Sequence, residues 1–391
     1  MQTIRLDELI AIEELLSDEE RLVREVTRRL VSERFLPRAG ELFEKAEFPM
    51  DLIEELGELG LLGMNLQGYG CAGMNNLAYG LAMEELEYGD SGLRSFASVQ
   101  GSLCMYPIHR WGSEEQKRKY LPKMAKGQLI GCFGLTEPNA GSDPGAMTTR
   151  AVADGNEYIL SGSKMWITNA PIADVSVVWA KLEGDDPSDI RGFLVEAGTK
   201  GFSAPEQHHK MSLRASRTGE LSLEEVRLPK DAMLPEAKGL GCPLSCLNQA
   251  RFGIAFGVVG AAKACFDEAL DYAKGRKTFG APIASKQLIQ QQLVGIAEDI
   301  ATTEISLVHY ARLKDAGKLS PYMVSLMKRK SVAMALRAAR TTRSILGANG
   351  ITVDYASIRH SLNLESVYTY EGTHEVHTLI VGRGLTGEDA F

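Results

Sequence analysis

Positive charge is the minority charge in this chain. Lys and Arg number 43 against 51 Asp and Glu over 391 residues, a formal net charge of −8. That excludes the broad basic footprint with which nucleic-acid binders neutralise phosphates, and Lys328-Arg329-Lys330 is too short a run to restore it. Cysteine is scarce too: six residues, no CxxC pair, and a Cys242/Cys246 spacing that specifies no metal. A disulfide framework is excluded, and a reducing compartment is expected. No run of about 18 apolar residues occurs, so no membrane-spanning helix is expected. The opening residues 1–20 are acidic and interrupted by charge, unlike a secretory signal or an Arg-rich transit peptide. The cytoplasm is therefore expected, or the mitochondrial matrix if a presequence has been removed. Internal repeats and low-complexity linkers are lacking, as is a GxSxG elbow for a serine hydrolase. His374-Glu-Val-His377 is not HExxH and has no third ligand nearby, so no metal is expected. Gly68-Tyr-Gly70-Cys-Ala-Gly73 has GxGxxG spacing, but it follows a helical pattern and no alternating strands and helices come after it. A dinucleotide fold fails that test of context, and a glycine-rich turn is the expectation.

What is present is an ordinary globular composition, 44% hydrophobic and 24% charged. At roughly 150 residues per domain the length accommodates two to three domains. Ser17 and Glu20 have capping-box spacing, and Leu22, Val23, Val26 and Leu30 then recur at helical intervals. Helical patterning continues over residues 50–62, 77–88 and 114–125. Past Leu129 the pattern changes to short β-type runs at residues 157–160, 174–179, 192–195 and 221–223, separated by turn signals at Asp154-Gly155 and Gly184-Asp-Asp-Pro187. Beyond Pro229 helix returns at residues 252–274, 287–316, 321–346 and 373–382. The expected class is α+β: a helical domain over residues 1–128, an antiparallel β-barrel domain over 129–235 and a helical domain over 236–391.

Four segments carry the chemistry: Gly134-Leu-Thr-Glu-Pro-Asn-Ala-Gly-Ser-Asp143, Met165-Trp-Ile-Thr-Asn169, Arg276-Lys-Thr-Phe-Gly280 and Tyr368-Thr-Tyr-Glu-Gly-Thr373. Their order and spacing resemble the acyl-CoA dehydrogenase flavoproteins over essentially the whole chain. The resemblance implies FAD as cofactor and a C-terminal four-helix bundle. Phe133, Leu135, Thr136, Gly141 and Ser142 form a small-residue loop that brings amides and hydroxyls to a flavin edge, while Trp166, Ile167 and Thr168 supply a ring and a hydroxyl near it. Trp166 alone would read as β core; the paired loop reverses that. Arg276, Thr278, Phe279 and Gln287 resemble the segment that reaches the FAD of a neighbouring subunit, which implies an oligomer, expected to be a homotetramer. Ser344, Leu346 and Gly347, in the Leu346-Gly-Ala-Asn-Gly350 turn region, resemble the second glycine motif at the adenosine end, and Thr373 and Glu375 complete the FAD set. Ser344, Ala348 and Glu375 depart from the residues usual at those places.

Removing an α-proton from a thioester needs a carboxylate whose pKa burial raises. Glu371 matches the family's base; the alternative carrier position, at Ala250, is filled by a residue that cannot serve. Around the substrate the resemblance places Glu87, Arg94, Ser95, Ser98, Val99, Ser142, Leu247, Asn248, Arg251, Tyr370 and Gly372. Glu87, Arg94 and Ser98 share one helical face if the helix continues or restarts through Asp90-Ser-Gly92. A cation at the blind end of an acyl pocket suits a distal carboxylate and penalises a fatty chain. This set resembles the branch of the family that oxidises and decarboxylates glutaryl-CoA to crotonyl-CoA, passing electrons to an electron-transferring flavoprotein. A non-decarboxylating or other short-chain acyl-CoA dehydrogenase is the alternative within enzymes. A catalytically silent scaffold that binds acyl-CoA is the alternative of another class.

Overall fold

The structure is a computed structural model that describes residues 4–184, 186 and 188–390. The turn signal at 184–187 therefore lies partly outside the described residues. Eight helices build the N-terminal third: α1 (Leu6–Ile10), α2 (Asp18–Leu30), α3 (Ala39–Lys45), α4 (Ile53–Glu58), α5 (Asn76–Gly89), α6 (Ser91–Ser98), α7 (Tyr106–Trp111) and α8 (Glu114–Ala125). Helix α2 starts at the expected capping box, in which Ser17 Oγ accepts from Glu20 N and Ser17 N donates to Glu20 Oε2. The face it buries differs from the apolar reading, because Leu22 is exposed while Glu20, Arg24, Thr27 and Leu30 point inward. Arg24 donates to Glu85 and Glu13, and Lys263 joins Glu84 to Glu304, so a buried ion network holds the helix. Helix α4 is shorter than the 50–62 pattern. A Cβ on Gly57 would lie 2.4 Å from the Lys126 backbone, and Gly60 and Gly63 adopt positive φ. The Gly68–Gly73 segment is a turn with no strand before it.

A mixed sheet occupies the middle, built from β1 (Gly131–Gly134), β2 (Arg150–Asp154), β3 (Glu157–Thr168), β4 (Val175–Leu182), β5 (Ile190–Glu196), β6 (Phe202–Ser203) and β7 (Thr218–Pro229). The strand order is β1-β4-β2-β3-β7-β6, with β5 also on β4. Pairing is antiparallel for β2–β3, β3–β7, β4–β5 and β6–β7. It is parallel where β4 meets β1 and β2, because the loop after β1 and the β2–β3 hairpin bring the chain back in the same direction. Alternating residues such as Leu160, Ile167, Val178, Phe193, Leu221 and Leu223 fill the sheet's own core.

The C-terminal third begins with α9 (Gly241–Gly275) and continues through a hairpin of β8 (Lys277–Thr278) and β9 (Ala281–Pro282). Then follow α10 (Gln287–Asp315), α11 (Pro321–Ile345), α12 (Ala356–Thr369) and α13 (His374–Thr386). Helix α9 packs on α10 and α11, α13 on α11, and α12 across α9 and α11. Helix α9 starts at Gly241, ahead of the 252–274 apolar pattern, and in those first turns Pro243, Cys246, Ala250 and Arg251 are buried. Helix α12 has no apolar stripe to announce it: Ser357, Arg359, His360 and Asn363 are among its buried residues. The two helical regions meet where α5 lies on α9. A Cβ on Gly260 would stand 1.8 Å from Glu84 O, and one on Gly257 would stand 2.2 Å from Glu87 Oε2. Glycine at these positions is what permits the approach.

Candidate active site

The site grows from a break between α5 and α6. Asp90 leaves the helix (φ −165°, ψ 143°) and its Oδ1 accepts from Gly92 N at 2.6 Å, restarting helix one residue later. Asn363 of α12 donates to Asp90 Oδ2 at 2.8 Å and accepts from Leu213 N, so all three regions of the chain converge on this break. Glu87 and Arg94 thus sit on different helices yet meet: Arg94 Nε donates to Glu87 Oε2 at 2.6 Å, and Ser91 Oγ donates to Glu87 Oε1 at 2.7 Å. Glu87 and Arg94 are 0% and 1% exposed. Burial alone would lower the Arg94 guanidinium, but Glu87 and Tyr370 outweigh it and the group stays charged. One Arg94 Nη donates to Tyr370 Oη, which also lies within 3.5 Å of Ser95 Oγ.

Below this set the helix widens into a π-helical stretch, Val99–Met105, a distortion common at functional sites. Val99 is buried, Ser98 Oγ is buried with no hydrogen-bond partner, and Tyr79 Oη pairs with Ser102 Oγ at 3.0 Å.

Glu371 arrives from the other side, on the connection between α12 and α13. Its backbone is left-handed (φ 51°), Gly372 follows at φ 93°, and Thr373 caps α13 by accepting from Val376 N. Glu371 Oε2 is out of solvent and without a partner. Burial raises the Glu371 carboxyl above the usual range, with Arg94, Arg251 and Lys328 partly offsetting it. Arg251 Nε of α9 donates to Glu371 O at 2.7 Å and an Nη donates to Asn248 Oδ1. Leu247 and Asn248 are part-buried on the same polar turns of α9, and Asn248 borders a 420 Å³ cavity. Glycine at 372 is required by its neighbours as well as by φ, since a Cβ there would meet His377 Nε2 at 2.8 Å.

The strand side offers a surface for a flat ring. A register shift in β3 between Lys164 and Ile167 puts Trp166 in a left-handed conformation (φ 62°) with its side chain 58% exposed. An indole so displaced from its sheet fits a cofactor ring packed on it. Phe133 and Leu135 are buried, Thr136 and Thr168 are part-buried, and Met165 N donates to Thr136 O. Ile167 faces the sheet core, so only its backbone faces the other way. Gly141 and Ser142 are exposed, and a Cβ on Gly141 would meet nothing within 4 Å, so packing does not demand that glycine. Glu137 anchors this loop by accepting from Thr148 N, Thr149 N and Lys164 Nζ. Burial would raise its carboxyl, but Lys164 and these bonds bring it down to about 2.

Other predicted residues are not brought to this wall by hydrogen bonds among the described residues. Arg276 and Gln287 are exposed, Thr278 lies in the β8–β9 hairpin, and Phe279 at its tip is 99% exposed with φ 49°. Ser344 and Gly347 are exposed at the end of α11, Leu346 is buried in the bundle, and Glu375 is exposed in the first turn of α13. Sequence reasoning missed Lys328, read only as part of a basic run, which is buried against residues 370–372. It also missed Asn363, whose pairing with Asp90 joins distant segments, and the burial of His377 beside Gly372, neither of which has a local signature, whereas the helix restart at Asp90 was readable from its Asp-Ser-Gly sequence.

A carboxyl shielded from water, a displaced indole and a helix–sheet–helix order together suit a flavoenzyme of three regions. Models of the acyl-CoA dehydrogenase N-terminal, middle and C-terminal domains match residues 17–128, 132–226 and 237–386. A glutaryl-CoA dehydrogenase structure from Mycobacterium smegmatis is 54% identical, with both chains fully covered and a TM-score of 0.97. A glutaryl-CoA dehydrogenase from the same organism, in complex with FADH2, is 50% identical at the same coverage and TM-score. A short-chain specific acyl-CoA dehydrogenase of Clostridium acetobutylicum is 36% identical over 94% of this chain and 97% of its own. The chain belongs to the acyl-CoA dehydrogenase family and is an FAD-dependent enzyme of that family.

Proposed function

We propose that the chain dehydrogenates and decarboxylates glutaryl-CoA. The observation that carries this reading is the buried Glu87–Arg94–Tyr370 cluster beside Glu371. A fatty acyl chain gains nothing from a buried guanidinium, whereas a five-carbon diacid places its far carboxylate there. Arg94 commits Nε to Glu87 and one Nη to Tyr370, which leaves the other Nη to bind that γ-carboxylate. Ser95, Ser98 and Val99 line the acyl chain, and Leu247, Asn248, Arg251, Ser142 and Gly372 flank the thioester and pantetheine. Phe133, Leu135, Thr136, Gly141, Trp166, Ile167, Thr168, Thr373 and Glu375 hold the flavin from one subunit, while Arg276, Thr278, Phe279 and Gln287 reach it from a neighbour in a homotetramer. Ser344, Leu346 and Gly347 hold its adenosine end. The near-complete exposure of Phe279 supports a covering partner.

Bound FAD supplies the hydride acceptor, and an electron-transferring flavoprotein takes the electrons on. Glu371 removes the Cα proton as the Cβ hydride leaves, forming the Cα–Cβ double bond of glutaconyl-CoA. The burial that raises its pKa strengthens Glu371 as a base and lets it hold the proton it has taken until that proton is returned. The bond to the γ-carboxylate then breaks, CO2 leaves, and the electron pair delocalises through the double bond into the thioester carbonyl. Protonated Glu371 returns the proton to Cγ, giving crotonyl-CoA. The free thiols of all six cysteines support a reducing compartment.

The test is the mass of the CoA product after anaerobic incubation of FAD-loaded protein with glutaryl-CoA and an artificial acceptor. Loss of two hydrogens and CO2 is expected. Loss of two hydrogens alone makes the enzyme a non-decarboxylating dehydrogenase. Unchanged glutaryl-CoA with turnover of butyryl-CoA makes it a short-chain dehydrogenase like the clostridial relative.

A further inference from the structure

Glu371 is held by its backbone, not by its side chain. The left-handed conformation at a non-glycine residue is strained and persists only where neighbours enforce it. Here three successive carbonyls are each met by a buried cation: Arg251 Nε donates to Glu371 O at 2.7 Å, and Lys328 Nζ donates to Tyr370 O at 3.0 Å and to Gly372 O at 2.8 Å. Lys328 comes from α11 and is 1% exposed. Both its hydrogen bonds go to backbone carbonyls, so neither neutralises it. A buried ammonium hydrogen-bonded to no carboxylate is expensive, and an apolar side chain would pack on α11 at lower cost. Bundle stability therefore does not account for a lysine here; the connection it grips does.

We propose that Lys328 is a positioning residue for the proton-transfer step: it fixes the left-handed Tyr370-Glu371-Gly372 connection that aims the Glu371 carboxylate at Cα, and its charge keeps that carboxylate ionised when a thioester closes over it. The inference rests on Glu371 being the base. The charged and titratable groups around Glu371 and Lys328 come from every packed element: Tyr79 from α5, Arg94 from α6, Arg251 from α9, Lys328 from α11, Tyr370 on the connection, and His374, Glu375 and His377 from α13. Burial pulls His377 down to about 3, so it is neutral. Arg94 and Arg251 keep their charge at all working pH values. Lys328 differs, since burial, partly offset by Glu371, pulls it down to about 7. A neutral amine still donates two N–H bonds to the two carbonyls, so the geometry survives deprotonation while the charge does not.

The experiment compares the FAD-loaded Lys328→Met and Lys328→Arg variants with the parent across pH. Lys328→Met keeps the stem and removes donor and charge. It is expected to lower kcat about 10- to 100-fold through misplacement of the base, with KM changing much less. It is also expected to move the acid limb of kcat/KM upward by about one pH unit, because a cation beside the carboxylate is gone. Lys328→Arg keeps charge and donors, so its acid limb should stay at the parent position and kcat should recover in part. A Met variant with a lower thermal midpoint or flavin content but an unmoved acid limb would show a merely structural lysine and overturn the proposal. An unchanged kcat would overturn it too. If Lys328→Met does not fold, Lys328→Gln, with an amide donor and no charge, carries the same readouts. A parent enzyme whose flavin no acyl-CoA bleaches refutes the base assignment itself; a bleaching parent with an unaltered Met variant refutes the role of Lys328 alone.

Discussion

Replacing Arg94 by Met tests both the architecture and the substrate. In the parent, Glu87 is fully buried, with Arg94 at 2.6 Å and Ser91 at 2.7 Å as its hydrogen-bonding partners. Methionine approximates the arginine stem in volume but leaves the carboxylate with a hydroxyl alone. Breaking one side of a buried pair costs about 3–5 kcal/mol, so urea unfolding followed by far-UV circular dichroism should show a loss of that size. The double variant Glu87→Gln/Arg94→Met removes the orphaned charge and should recover most of it. On substrate, the loss of a charge-assisted hydrogen bond of about 1.5–3 kcal/mol corresponds to roughly 10- to 150-fold in kcat/KM for glutaryl-CoA. Butyryl-CoA, which has no γ-carboxylate, should lose much less in the same variant. Kinetics on both thioesters, with flavin content matched, give the ratio directly. Equal losses with the two would refute the carboxylate anchor. An unfolding midpoint equal to the parent's would refute the reasoning that Glu87 and Arg94 stabilise each other in a dry interior.

Gly257→Ala places a methyl 2.2 Å from Glu87 Oε2 and 3.1 Å from Arg94 Nε, and should cost about 1–3 kcal/mol by overpacking; thermal unfolding and the glutaryl/butyryl ratio check it, and an unchanged ratio would mean the pair can shift harmlessly. Trp166→Ala removes a side chain that is 58% exposed, so the apoprotein midpoint should change little, while FAD affinity by fluorescence titration should fall about 3- to 10-fold. Lys314 has its Nζ buried without a hydrogen-bond partner, over the Phe252 ring, and burial pulls it down to about 7. Between that value and the ordinary lysine range the unfolded chain holds a proton that the folded one lacks, so the residue costs stability, fully below about pH 7 and not at all above the unfolded value. Lys314→Met should therefore stabilise by about 1–3 kcal/mol at pH 7, with the gain shrinking toward pH 10; a gain independent of pH would contradict the titration. Glu371→Gln should abolish flavin bleaching by substrate under anaerobic mixing, and rapid residual bleaching would remove Glu371 from the mechanism.

Local order and local chemistry were legible along the chain. The capping box at Ser17 and Glu20, the hairpin turn at Asp154-Gly155 and the apolar stripes of α10 and α11 each depend on neighbours within a turn or two, and the structure carries them as read. The motif around Glu371 was readable for the same reason, because its resemblance lies in consecutive residues. The two elements that position the site most directly were poorly legible: the first turns of α9 bury Arg251 beside Pro243, Cys246 and Ala250, and α12 buries Ser357, Arg359, His360 and Asn363 beside Leu364 and Val367, so polar residues interrupt the inward face and weaken the periodic signal. The parallel pairing of β4 with β1 and β2 likewise depends on connections that no alternation pattern encodes.

Sequence alone determined the order of helix, sheet and helix and the family, and it supplied the side chains from which a site is proposed, because these follow from short-range pattern and from side-chain type. Tertiary structure decided which of them meet. The helix break at Asp90 brings Arg94 to Glu87, and Gly257 and Gly260 let α5 close on α9. Arg251 and Lys328, more than 40 residues away along the chain, grip the carbonyls that set the direction of Glu371. Burial then gives these pairings their consequences. A carboxylate or ammonium acquires an unusual proton affinity only where water is excluded, and exclusion of water is a property of packing that no single stretch of sequence possesses.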